Sequence, residues 1–410
     1  LRECGKKQLV SVGSRKILLI VSFSRSTIGY DYMNLRYPVY SPYLNGREKA
    51  LVVDCIESTW ISSKGKYVGQ FEESFGSWLD AEHAITVSNG TVALHVALAA
   101  LGIGPGDEVL VPTLTYIASA NAVKYTGADV VFVDSERAYW QIDIEDAERK
   151  ITSRTKAIMV VHLYGQATDM DAVMALAKKH SLYVIEDCAE AIGTRYGDTH
   201  VGTIGDVGCF SFFGNKTITT GEGGMVVTND AELARKIRHL RSQGVSSERE
   251  YWHDAIGFNY RMTNLCAAIG CAQMESIDDL IAKKLQIAEW YRQSLAGLPL
   301  HVHSTRPGTQ HSYWMVSVLV DDARERDPFR DALQLDGIET RPLFYPVHQM
   351  QMYAAPGQNF PIADDISSRG INLPSYPALM RDDITFICER VRDFFARQET
   401  KMEPLLETKS

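Results

Sequence analysis

The chain has 410 residues, 45% hydrophobic and 23% charged, the balance of an ordinary globular protein with enough apolar material for a large core. Its 42 basic and 51 acidic residues leave a net charge of −9, which argues against a general nucleic-acid surface but leaves room for a local basic pocket. Seven cysteines with no C-x-x-C spacing, and no run of about 18 apolar residues, predict no disulfide framework, no zinc or other metal site and no membrane span, and point to a cytoplasmic protein.

The first methionine is Met33, and the apolar run before it, Ile17 to Val21, is too short for a secretory signal. Residues 1–32 are therefore expected to be a non-native or disordered extension. From about Leu51 to Asp230 the chain alternates strand-like and helix-like runs. Val87-Ser-Asn-Gly-Thr opens an alanine-rich helix that ends near Gly102. Glu108-Val-Leu-Val-Pro reads as a buried strand, Tyr116 to Tyr125 as a helix and Asp129-Val-Val-Phe-Val-Asp as a strand. Ala157-Ile-Met-Val-Val-His is a strand, Asp171 to His180 a helix, and Leu182-Tyr-Val-Ile-Glu-Asp a strand. Short apolar strands separated by helices indicate βαβ units and a mostly parallel sheet, with ligands beyond the carboxyl ends of the strands.

The pattern changes near residue 275. Ile277 to Leu298 reads as one long amphipathic helix, because Ile281, Leu285, Ala288, Tyr291 and Leu295 recur at steps of three and four. Tyr313 to Val320 reads as a strand, Pro328 to Gln334 as a helix, and Asp382 to Gln398 as a final helix. The expected organisation is a large α/β domain over residues 33–275, a smaller α+β lobe over 276–400 that includes the connector helix, and a tail over 401–410.

Three separated features suggest one chemistry. Ser88-Asn-Gly-Thr stands at a helix start, where Gly90 and Thr91 offer backbone N–H groups and a favourable dipole to an anion; a plain N-cap is the simpler alternative. Glu186-Asp187 ends a buried strand, where a carboxylate needs a partner such as a pyridinium nitrogen. Ser211-Phe-Phe-Gly-Asn-Lys216 precedes a glycine-rich run, a setting that desolvates the lysine and frees its amine as a nucleophile toward an aldehyde. The order of glycines fits neither a P-loop nor a dinucleotide fingerprint. An anion cradle, a carboxylate and a Schiff-base lysine are together the parts needed for pyridoxal 5'-phosphate.

Trp60-Ile-Ser-Ser-Lys-Gly, Pro112-Thr-Leu-Thr-Tyr-Ile-Ala-Ser, Glu186-Asp-Cys-Ala-Glu-Ala, Gly221-Glu-Gly-Gly and Gly257-Phe-Asn-Tyr-Arg-Met-Thr-Asn, with the runs above, resemble the sugar aminotransferases of the DegT class. The likeness extends from about Tyr37 to Arg397. It implies the aspartate-aminotransferase-like fold (fold type I). It also implies that Lys216 forms the Schiff base, Asp187 bonds the ring nitrogen and Glu190 lies near the ring hydroxyl, where many relatives carry Gln. Tyr116 is then expected to stack on the ring, and Gly90, Thr91 and Ser211 to hold the phosphate. Asn259, with Arg261, is expected to reach that phosphate from a neighbouring subunit, so that a homodimer shares its sites. Trp60, Ser62, Ser63, Lys64, His162, Arg341 and His348 are candidate substrate contacts, each also readable as a structural or solvated residue.

The runs at Phe213 to Gly221 and Glu339-Thr-Arg-Pro-Leu-Phe-Tyr-Pro-Val-His348 resemble the branch of the class that aminates C4 of GDP-4-keto-6-deoxymannose. L-Glutamate is the expected nitrogen donor. Other nucleotide-linked keto sugars, or the 8-keto form of a deoxyoctulosonate, are alternatives. A dehydratase of the same fold would carry histidine in place of Lys216, and a non-catalytic regulator would be expected to lack Lys216 or Asp187; both residues are present.

Overall fold

β-Branched runs between residues 83 and 228 assemble a seven-stranded sheet. In spatial order its strands are His83–Val87, Gly224–Thr228, Val207–Ser211, Tyr183–Asp187, Thr155–Val161, Glu108–Pro112 and Asp129–Val133. The last five run parallel, while Gly224–Thr228 is antiparallel to both of its neighbours. Central strands such as Val207–Ser211 and Gly224–Thr228 are buried along their whole length, which is why they read as continuous apolar runs and not as alternating ones. This is the mixed, mostly parallel sheet with flanking helices of fold type I.

The computed structural model describes residues 7–12, 15–20, 35–44 and 46–407. The chain divides into residues 1–36 and residues 37–410. In the first unit, Lys7–Val12 pairs antiparallel with Arg15–Ile20. The remainder of the segment expected to be a non-native or disordered extension lies outside the described residues. All six described cysteines are free, and no described helix is long and apolar enough to cross a membrane.

Helix Gly90–Ala100 packs its alanine-rich body against the sheet, with Ala93, Leu94, Val96, Ala97 and Leu98 all buried. Burying each such Val or Leu contributes roughly 1.5–3 kcal/mol relative to leaving it exposed. The Asn89 side chain caps the helix by accepting the Val92 N–H, so this N-terminus is fixed by the chain's own chemistry.

After helix Asn264–Met274, the long helix Ile277–Leu295 leads to a four-stranded antiparallel sheet. Its strands lie in the order Leu300–Val302, Val316–Val320, Gly370–Leu373 and Arg341–Pro342. Tyr291, Ile287 and Ala288 of the helix share a core with Val316, Val318 and Ile371 of this sheet and with Ile387 and Val391 of the last helix.

Several boundaries differ from expectation for local reasons. The long helix stops at Leu295, because Ala296 turns to extended backbone and Gly297 takes φ +82° before Pro299. The strand expected from Tyr313 begins at Val316, since Tyr313 is left-handed with φ +48°. The helix expected from Tyr116 begins at Ala118, leaving Tyr116 just before it. The helix expected from Pro328 starts at Arg326, which puts the proline in the first turn, where its missing N–H is harmless. The last helix, Arg381–Glu407, runs past Gln398 into the expected tail; the sole proline in it, Pro404, falls near its end.

Candidate active site

The strand ends converge on a cavity of about 690 Å³. Asp187, Val161 and Ser211 reach it from the carboxyl ends of three parallel strands, and Gly90 and Thr91 from the first turn of the helix after His83–Val87. Tyr116, Glu190, Lys216 and Arg341 also line it. The candidates Lys216, Asp187, Glu190, Gly90, Thr91, Tyr116, Ser211 and Arg341 therefore share one space.

Asp187 is the last residue of Tyr183–Asp187 and is buried. One carboxylate oxygen accepts the Ser119 hydroxyl at 2.8 Å, and the other accepts the Ala189 N–H at 3.1 Å. Burial pushes its pKa up, although these hydrogen bonds and the Lys216 charge pull the other way. A cation beside this carboxylate would reverse that balance. Its neighbour Glu186 is occupied structurally: it accepts the N–H groups of Gly202, Ile204 and Gly205 and the Nε2–H of His162. His162 Nδ1 in turn accepts the Thr168 N–H, which fixes the tautomer. Cys188 completes a cluster of metal-ligating residue types, but the carboxylate oxygens are already taken by these donors.

Lys216 lies in the turn that follows Val207–Ser211, where its N–H donates to the Phe213 carbonyl at 2.9 Å. The Tyr40 hydroxyl donates to the Lys216 carbonyl. Burial lowers the pKa of the amine, while Glu190 and Asp187 oppose that shift. Glu190 accepts the Tyr164 N–H at 2.8 Å, and burial raises its pKa to about 7 against the pull of Lys216.

The anion cradle is formed by close approach. A Cβ on Gly90 would stand 2.7 Å from the Ser211 Cβ, so glycine is what lets the helix N-terminus meet the strand end. Asn89 caps the Val92 N–H and leaves the first-turn N–H groups of Gly90 and Thr91 facing the space beside Ser211. The donor set thus fits pyridoxal phosphate: N–H and hydroxyl donors for a phosphate, a buried carboxylate for a ring nitrogen, and a desolvated lysine in the same cavity.

Other candidates stand elsewhere. His162 is fully buried behind Asp187, held as described, and does not line the cavity. His348 is buried with Nδ1 2.8 Å from the Thr113 hydroxyl and Nε2 3.4 Å from Asp364, also away from the cavity. Trp60 and Ser62 are exposed, Ser63 is half-buried, and none lines the cavity; the carbonyls of Trp60 and Ser62 accept hydrogen bonds from Asn264. Asn259 is exposed and Arg261 half-buried, and neither reaches the cavity of its own chain. The side-chain Nε of Arg261 is buried without a partner.

Two residues with close roles were not among the candidates. Ser119, on the helix after Tyr116, holds Asp187; its place in the Pro112 to Ser119 run was a usable signal. Trp314 lies with its ring centroid 3.9 Å from Lys216 Nζ. An aromatic inside an apolar run reads as core, so nothing in the sequence singled it out.

A family model described as the DegT/DnrJ/EryC1/StrS aminotransferase family matches residues 42–392. A protein of Escherichia coli O157:H7 named GDP-perosamine synthase is 56% identical over 88% of this chain and 98% of its own length. A Vibrio cholerae protein of the same name is 52% identical over 87% and 99%. The solved pyridoxal-phosphate form of a putative sugar aminotransferase from Streptococcus pneumoniae superposes with a TM-score of 0.84 at 25% identity, covering 88% of this chain and 98% of that one. The chain belongs to the DegT/DnrJ/EryC1/StrS aminotransferase family, whose cofactor is pyridoxal 5'-phosphate.

Proposed function

We propose that the chain transfers the amino group of L-glutamate to the C4 ketone of GDP-4-keto-6-deoxymannose, giving GDP-perosamine for surface polysaccharide. The observation that carries this reading is its identity of 52–56%, over nearly the full length of both, to two proteins named GDP-perosamine synthase. The cavity agrees in kind: it is roomy, it holds a desolvated lysine under the influence of two carboxylates, and Arg341 at its wall is a cation suited to a diphosphate.

Bound pyridoxal phosphate supplies a carbon that exchanges nitrogen with both substrates and a ring that spreads the charge left when a proton departs. The protein supplies position and proton transfer. Gly90 and Thr91 N–H groups and the Ser211 hydroxyl would hold the phosphate, assisted by Asn259 and Arg261 of a second copy. Asp187, fixed by Ser119 and Ala189, would keep a proton on the ring nitrogen. Glu190 would face the ring hydroxyl and Tyr116 the ring face. Lys216 Nζ would take the proton from the donor's Cα in the first half of the reaction and deliver one to C4 of the sugar in the second, a task for which its burial-lowered pKa suits it. In this reading the working unit is a cytoplasmic homodimer, with a large domain over residues 33–275 and a small one over 276–400.

The test is competition among sugar nucleotides. GDP-linked ketone should be aminated in preference to dTDP- and UDP-linked ketones. A site that hydrogen-bonds a base discriminates by up to about 10⁴ when its partners would be left unpaired. Equal use of all three nucleotides contradicts the GDP assignment.

A further inference from the structure

Trp314 belongs to none of the roles above, yet its position is strongly determined. It is 4% exposed. Its backbone is clamped at Gly165, where φ is +98° and a Cβ would stand 2.9 Å from the Tyr313 nitrogen and 3.0 Å from the Trp314 nitrogen. The Ser312 N–H donates to the Gly165 carbonyl at 3.0 Å, and the Thr194 hydroxyl ties that carbonyl to Ser312 Oγ. Tyr313 is held left-handed by its N–H bond to His311 Nδ1 at 2.9 Å, with the two rings stacked 3.8 Å apart.

The indole is fixed at both of its functional parts. Its Nε1–H donates to the carbonyl of Asn215, the residue before Lys216, at 2.7 Å. Its plane lies parallel to Tyr164 at 6.1 Å, and the Tyr164 N–H donates to Glu190. The π face then meets Lys216 Nζ at 3.9 Å, well inside cation–π range. Any buried indole N–H needs an acceptor, but a core aromatic chosen only to fill volume has no need to set its face over an amine.

We propose that Trp314 is a positioning residue for Lys216: its π face is the seat of the Lys216 ammonium when the amine is not bonded to cofactor, and its Nε1–H fixes the turn that carries the lysine. This rests on the reading of Lys216 as the cofactor-bearing lysine. The seat stabilises the protonated amine and so sets how readily Lys216 gives its proton up. Other charged or titratable groups around Lys216 are Glu190 and Asp187, the Tyr40 hydroxyl on its carbonyl, and Tyr116, Tyr125, Glu222 and Arg341, which line the same cavity.

The test uses the full-length protein stripped of cofactor. Pyridoxal phosphate is added at a series of pH values, the product is fixed with borohydride, and the modified peptide is quantified by mass spectrometry. The rate at Lys216 rises with pH as the amine loses its proton. A π face stabilises the ammonium, so weakening it lowers the midpoint. Trp314→Leu should shift the midpoint down by roughly 0.5–1 pH unit, and Trp314→Phe by less. Should Trp314→Leu fail to fold, fluorinated tryptophans, which keep the shape and weaken the face, should lower the midpoint in step with fluorine number; they leave the other facing groups unchanged. An unchanged midpoint across the folded variants or the fluorinated series overturns the proposal. Trapping at a lysine other than Lys216 instead overturns the reading on which it rests.

Discussion

The Ser119 hydroxyl donates to the Asp187 carboxylate at 2.8 Å, joining the helix after Glu108–Pro112 to the end of Tyr183–Asp187. With the Ala189 N–H on the other oxygen, the carboxylate plane is fixed before any ligand arrives. Ser119→Ala should therefore loosen Asp187 without charging it. A hydrogen bond to a charged group contributes about 1.5 kcal/mol, so cofactor retention should weaken roughly tenfold. Asp187→Asn should lower kcat by about 10² or more while the melting temperature stays near that of the parent. Cofactor absorbance after dialysis and steady-state rates check both; near-normal turnover in Asp187→Asn means that Asp187 has another task.

Gly90 approaches Ser211 so closely that a methyl group has no room. Gly90→Ala should displace the helix start, lower the melting temperature and weaken cofactor binding at least tenfold. Removing the obstructing side chain in Gly90→Ala/Ser211→Gly should recover most of the melting temperature but not the cofactor affinity, since the Ser211 hydroxyl is gone as well. Equal melting temperatures for the single and double variants would show that the contact is not the cause.

Burial raises Glu190 from 4.5 to about 7. A carboxyl whose folded pKa is raised favours folding while protonated in both states, below its unfolded value of 4.5, and that contribution is lost as pH rises through about 7. Gln can accept the same Tyr164 N–H without ionising. In the cofactor-free protein, Glu190→Gln should therefore gain in melting temperature over the parent between pH 5 and pH 8. A gap independent of pH contradicts a buried, proton-holding Glu190.

Asn259 is exposed and away from its own chain's cavity, and the neighbouring Ile256 is 95% exposed. If Asn259 serves the site of a second copy, mixing Lys216→Ala and Asn259→Ala subunits should restore activity. One site of the hybrid carries both defects and the other neither. Full rescue of the hybrid gives about half of the parent rate per hybrid; no rescue under proven subunit exchange counts against shared sites.

The residues readable from sequence were those whose chemistry is tied to a strand end or a helix start. Asp187, Ser211, Gly90 and Thr91 all sit at such points, Lys216 lies in the turn just past one, and a parallel sheet gathers its carboxyl ends on one edge. His162 directly follows the strand Thr155–Val161, but it turns to Glu186 in the core, and a histidine's direction is not written in its neighbours. His348 follows a motif-like run, yet the contacts with Thr113 and Asp364 that withdraw it come from distant segments. Trp314 was missed because its partner is 99 residues away, at a distance no local period reports; Ser119, 68 residues from Asp187, was marked only by its place in the Pro112 to Ser119 run. Element ends shifted where a single backbone angle decided, as at the strand start after Tyr313 and the helix end before Gly297.

The proposed reaction moves one nitrogen atom from L-glutamate to C4 of the sugar. The full-length protein, loaded with pyridoxal phosphate, should be given ¹⁵N-labelled L-glutamate and GDP-4-keto-6-deoxymannose, and the sugar nucleotide read by mass spectrometry and NMR. The expected product is a GDP-linked 4-amino-4,6-dideoxy sugar carrying ¹⁵N at C4, formed in step with 2-oxoglutarate and absent with Lys216→Ala. Release of 2-oxoglutarate with no label in the sugar, or label only in a sugar on another nucleotide, would contradict the proposed reaction.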